Sequence, residues 1–187
     1  MIQRDLVERA GRGDHAAFAS LVSASVAQLE AVARLILRDH ELARDAVQDA
    51  YIRAWRSLPG LHEPERFDAW LHRLTVNACL DAVRRRRHRA IEVDIEPLDM
   101  RAAGDPISQV AHRDQLERGF VHLSVDQRAV LVLHYYVGLS MPALAETLGI
   151  PLGTAQSRLG RALLALRSVL AVDDDSSPTV IHQGQTA

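Results

Sequence analysis

The sequence is short of several things. It has a single cysteine, Cys79, so neither an internal disulfide nor a cysteine-based zinc site can be built. It has no lysine, and all 22 basic residues are arginine. Aromatic residues make up 4% of the chain against 48% apolar residues overall, a balance that suits small helical bundles rich in Ala, Leu and Val. No run approaches the roughly 18–20 consecutive apolar residues of a membrane span. The start, Met1-Ile2-Gln3-Arg4-Asp5, lacks the apolar stretch of a secretory signal. These absences predict a cytoplasmic protein without membrane insertion. At 187 residues it is large enough for one ordinary domain or two small ones.

A net charge of −2 hides a strong asymmetry. Residues 72–90 carry +5 and residues 124–171 carry +2, separated by −4 over residues 91–123. Residues 1–71 carry −2 and the tail from 172 carries −3. Two basic segments flank an acidic one, which suggests two contacts with a polyanion.

Apolar residues at 3–4 spacing, Phe18, Leu21, Val22, Leu29, Val32, Leu35 and Ile36, predict a helix from Asp14. Asp39 caps a second helix running to Leu58, where Pro59-Gly60 ends it. A third follows Pro64, from about Glu65 to His88. Residues 90–108, acidic and broken by Pro97, Gly104 and Pro106, predict a flexible linker. Helices resume at about Gln109. Ser124 caps one through Val137, Ser140 a short one closed by Gly149, and Pro151 opens a last one to about Leu170. The expected organisation is all-α: a helical domain over 1–89, a linker over 90–108, a second helical domain over 109–171 and a disordered tail over 172–187.

Residues 140–168 have the spacing of a helix-turn-helix, whose second helix enters the DNA major groove. On that helix Leu152, Leu159, Leu163, Leu166 and Leu170 share one arc, predicted to be core. Thr154, Ser157, Arg158 and Arg161 fall opposite. Hydroxyls and arginines near a helix start suit phosphate contacts and bidentate reading of guanine; a plain solvated face is the other reading. On the helix of residues 65–88 a stripe of Trp70, Arg73, Asn77, Asp81, Arg84 and His88 separates two apolar arcs. An indole beside amides and guanidiniums suits single-stranded nucleic acid, unless Trp70 is simply core. The stripe ends in Arg84-Arg85-Arg86-Arg87, a phosphate-binding run. On the helix of residues 39–58, Ile52 and Trp55 share an arc with Glu41, Arg44, Asp45 and Gln48, which suggests a protein interface unless Trp55 packs into its own domain.

Three segments together resemble the extracytoplasmic-function (ECF) group of bacterial sigma-70-type factors. They are Asp45 to Trp55 (DAVQDAYIRAW), Phe67 to Leu71 with Asn77, Asp81 and Arg84 to Arg87, and Leu148 to Leu159 (LGIPLGTAQSRL). The resemblance covers most of residues 14–170. It implies two helical domains, regions 2 and 4, and a non-enzymatic transcription initiation factor with no cofactor. Asp45, Gln48, Asp49, Ile52 and Trp55 would then meet the clamp helices of the largest subunit of core RNA polymerase. Trp70, Asn77 and Arg84 to Arg87, with Leu61 and His62 in the loop Pro59–Glu63 holding a flipped base, would melt and read the −10 element. Thr154, Ser157, Arg158 and Arg161 would read the −35 duplex while region 4 docks on the flap of the second-largest subunit. The acidic linker would cross the basic cleft of the polymerase.

Asp49 stands where Glu is usual, Ala155 where Val is usual, and Met141 and Ala143 where an aromatic and an acidic residue are common. Such factors are commonly silenced by an anti-sigma protein, a role in which the acidic tail is a candidate contact. The competing reading is a stand-alone dimeric helix-turn-helix regulator. A helical enzyme is a third, but the nine histidines form no His-x-x-x-His set with a third ligand nearby, and no Gly-rich phosphate loop or nucleophile motif is present.

Overall fold

The computed structural model describes residues 2–92 and 119–175. Among these residues every regular element is helical. The helices are α1 (Ile2–Gly11), α2 (His15–Leu37), α3 (His40–Ser57), α4 (Phe67–Glu92), α5 (Val125–Leu131), α6 (Met141–Leu148) and α7 (Leu152–Asp175). Two 3₁₀ turns, Leu58–Gly60 and Pro64–Arg66, join α3 to α4, and a π-helical turn, Val132–Tyr136, extends α5.

The polar residues at the junctions set the helix starts. The Asp14 carboxylate accepts from the N–H of Ala16 and Ala17 at 2.9 and 3.0 Å, and Asp39 accepts from Leu42 N–H at 3.0 Å. Ser124 and Gln127 form a reciprocal capping box, which satisfies two donors that would otherwise be orphaned. At the end of α6, Gly149 adopts φ +64°; its N–H reaches the Glu146 carbonyl and that of Ile150 the Ala145 carbonyl. This paired closure needs a left-handed residue, which glycine supplies at little steric cost.

α1 to α4 form the first bundle, with α3 against α4 and α2, and α1 against α2. α5, α6 and α7 form the second, in which α7 lies on α5 and α6. Ala155 and Ala162 of α7 are fully buried, and their small side chains allow α7 to approach its neighbours closely. α2 has the length and apolar composition of a membrane span; here those residues serve packing, with Leu29, Val32, Ala33, Ile36 and Leu37 buried. The two bundles touch: α6 packs on α4, and α5 with its π turn packs on the end of α2.

Several boundaries differ from the sequence expectations. α1 was not foreseen, although Leu6 and Ala10 carry its four-residue spacing and Val7 and Ala10 are buried. α4 runs on to Glu92 and α7 to Asp175, since no Gly or Pro interrupts them before Gly104 and Pro97 in one case and Pro178 in the other. The helix expected through Val137 widens into the π turn, where Val137 N–H bonds the Val132 carbonyl. Leu152, expected in the core arc of α7, is 43% exposed at the first residue of the helix. Residues 93–118 and 176–187 lie outside the described residues, and with them most of the expected linker and the tail.

Candidate nucleic-acid and polymerase interfaces

α3 presents one arc outward. Arg44, Asp45 and Gln48 are exposed, and Ile52 is 42% exposed on the same arc. The opposite side, Ala43, Ala46, Val47, Ala50 and Ala54, is buried. Trp55 is half-buried: it stacks on His15 with ring centroids 4.6 Å apart and tilts against Phe18 at 5.0 Å. Gln48, Ile52 and Trp55 line an apolar groove of about 520 Å³ between α2 and α3, with Val22 and Val26 on the other wall. Tyr51 closes it from below; its hydroxyl is 2.8 Å from Ser25 Oγ, and burial raises its pKa. The groove and the exposed Ile52 form an apolar surface framed by charge.

The stripe on α4 stands as the helical spacing predicts. Trp70 is half-buried and tilted against Phe67 at 5.9 Å, Asn77 is half-buried, and Arg73, Arg84 and His88 are exposed. Leu61 and His62 lie beside Trp70 and Arg73 in a second cleft, of about 440 Å³. The arginine run is partly neutralised from within. Arg85 donates to Asp49 at 2.9 Å and Arg86 to Asp39 at 3.0 Å, so a carboxylate of α3 and that of its N-cap hold two of the four guanidiniums. Asp81 accepts from Arg53 at 2.8 Å and more loosely from Arg84 at 3.4 Å. Each guanidinium keeps further N–H donors, so paired arginines can still meet phosphate.

On α7, Ser157 and Arg161 are exposed, and Thr154 and Arg158 are half-exposed. Arg158 reaches Asp126 of α5 only at 3.8 Å, so its planar fork is loosely held. These side chains project from the first three turns of the helix, the N-terminal end that groove reading uses.

Residues 21–89 match the family model of Sigma-70 region 2, and residues 113–166 match that of Sigma-70, region 4. The chain is 36% identical over 159 residues to the ECF RNA polymerase sigma factor SigM of Mycobacterium tuberculosis, covering 84% of this chain and 79% of that one. The chain belongs to the ECF sigma factors. Two solved structures agree. Sigma factor RpoE of Bartonella quintana, in complex with the anti-sigma factor NepR, matches with a TM-score of 0.69 at 26% identity, over 83% of this chain and 98% of that one. CnrH in complex with the cytosolic domain of CnrY matches with a TM-score of 0.64 at 30% identity, over 95% and 100%. The resemblance read from the three segments is therefore confirmed at the level of family, two-domain helical fold and sigma-factor function. The stand-alone regulator is not favoured.

The sigma factor also holds residues that sequence reasoning passed over. Arg128 of α5 is only 6% exposed and meets no carboxylate among the described residues. Its guanidinium donates to the carbonyls of Ile36 at 2.6 Å, Leu123 at 2.7 Å and Phe120 at 3.3 Å. Burial, with a smaller effect of Arg38, lowers its pKa to about 10, so it stays charged at neutral pH. No spacing in the sequence marks it. Tyr135 and Tyr136, on the π turn, are 64% and 53% exposed. Their adjacency on a short helix was a signal that an interface reading could have used.

Proposed function

We propose that this sigma factor brings core RNA polymerase to promoters through four separate surfaces. The α3 arc of Asp45, Gln48, Asp49, Ile52 and Trp55 is the seat for the clamp helices of the largest subunit. A protein contact here is supported by exposed Ile52 beside an apolar groove, because an aliphatic anchor ringed by charge is how compact protein interfaces are built. The α4 stripe takes the non-template strand of the −10 element. There Trp70 offers a partial stacking face, Asn77 hydrogen bonds, and Arg84 to Arg87 phosphate contacts, with Leu61 and His62 around a flipped base. Thr154, Ser157, Arg158 and Arg161 read the −35 duplex. The exposed Tyr135 and Tyr136 suit docking of region 4 on the flap of the second-largest subunit.

The proposal rests on the opposite exposures within α3: an apolar residue outward on the helix whose other side is alanine core. The factor works by binding, in the cytoplasm, where polymerase is. One of these structures is a complex with the anti-sigma factor NepR and the other with the cytosolic domain of CnrY, and the first supports an anti-sigma partner for this chain too.

The test is reconstitution of the purified chain with core polymerase, followed by run-off transcription on a genomic fragment library. Discrete start sites that depend on the chain are expected. A chain that ignores core yet binds a palindromic duplex as a twofold dimer would overturn the proposal.

A further inference from the structure

We infer that the helix-turn-helix unit occupies the −10 face of its own chain, with α6 as a lid over the cleft that would receive the unpaired strand. The inference rests on the −10 assignment above and goes beyond it. The cleft of about 440 Å³ has Leu61, His62, Trp70 and Arg73 on one side, and Ala143, Glu146 and Thr147 of α6 on the other. With α6 as the opposite wall, Trp70 faces protein across the cleft.

Two contacts join lid and floor, and a third ties the bundles behind them. Glu146 Oε1 accepts from Arg66 at 2.7 Å, setting a carboxylate of the lid on a guanidinium of the opposite wall. The Arg73 guanidinium lies 3.8 Å from the point where a side chain on Gly149 would begin, so it faces the carbonyl end of α6. The helix dipole favours a cation there. Behind the lid, Arg128 donates to the Ile36 carbonyl at 2.6 Å, stapling α5 to the last turn of α2. The Glu146 pair is exposed and weak; the buried Arg128 contact and the apolar packing of α5 on α2 hold the closed form.

The closed chain has its −10 face covered by α6, with the Glu146 carboxylate set against Arg66, while the α3 arc remains open to polymerase. Binding to core would come first, and separation of the two bundles would then uncover the strand-binding cleft.

The experiment uses the full chain with Ala69→Cys and Ala143→Cys, two substitutions on opposite walls of the cleft. Cys79 is buried, with its thiol pKa raised to about 12, so it does not compete for reagent. A short bis-maleimide with a reducible disulfide spacer should link the free chain internally in high yield. Adding core polymerase before the reagent should suppress the link. The linked factor should fail in run-off transcription, and reduction should restore it. Glu146→Arg, which faces Arg66 with a like charge, should lower the linking yield by roughly fivefold. Absence of the link in the free chain, or undiminished transcription by the linked one, would overturn the lid. If the unlinked chain neither bound core nor transcribed, the sigma-factor assignments would fail instead.

Discussion

Ile52 and Trp55 stand almost one turn apart on α3 and do different work. Ile52 is open to solvent, whereas Trp55 is clasped by His15 and Phe18 and presents one edge. Ile52→Asp is therefore expected to weaken core binding by about 2 kcal/mol, the scale of an interface anchor. Competition against a labelled sigma factor for core, with an unchanged circular dichroism spectrum, checks this. An unaltered affinity would remove Ile52 from the interface. Arg158→Ala should reduce discrimination at the −35 element by about 1–3 kcal/mol, read as the ratio of transcription from cognate and base-substituted promoters. The helical wheel made these positions legible, because exposure on α3 and α7 follows from which residues are opposite the alanines. The pairs Arg85–Asp49 and Arg86–Asp39 were not legible, since they join residues 36 and 47 apart in the sequence. Only the packing of α4 on α3 brings them together.

At the scale of single helices, the sequence carried the capping chemistry most clearly. Asp14, Asp39, Ser124, Ser140 and Gly149 end or begin helices through backbone groups that must find partners. The π turn was not legible, because Val132–Tyr136 carries no Gly or Pro to announce it. Gly149→Ala should destabilise the fold by about 1 kcal/mol, the cost of a left-handed conformation for a residue with a Cβ. Urea unfolding would read it as a lower midpoint with an unchanged slope. Asp14 gives a pH-dependent counterpart. The N–H of Ala17, and then the Arg9 guanidinium, hold its pKa below the ordinary 3.8. A lowered carboxylate pKa stabilises the fold above that value, and the benefit is lost as pH falls through the folded-state pKa. The gap in thermal midpoint between the wild type and Asp14→Ala should be full at neutral pH and close progressively below pH 3.8. A gap independent of pH would mean the carboxylate is not the cap.

For the whole molecule, charge distribution was readable while the mutual packing of the bundles was not. Nothing in the spacing of Ala129, Leu133 or Arg128 says whether they face their own bundle or α2. Replacing Arg85 and Arg86 together by Ala should flatten the dependence of open-complex formation on log salt by about 1.4, if each neutralises one phosphate of a single strand. A slope equal to that of the wild type would show that the two residues serve only the α3 carboxylates. Those carboxylates have an importance of their own. On the assignments proposed above, Asp49 belongs to the helix offered to polymerase and grips Arg85, a cation offered to DNA, and a carboxylate engaged by one is less available to the other. Any contact that draws Asp49 away leaves Arg85 unmatched beside the promoter strand, and capture of Arg85 by phosphate leaves Asp49 in search of a donor. Linkage would make the effect reciprocal: through this one pair, a macromolecule that engages either partner would raise the affinity for the other across the width of two helices.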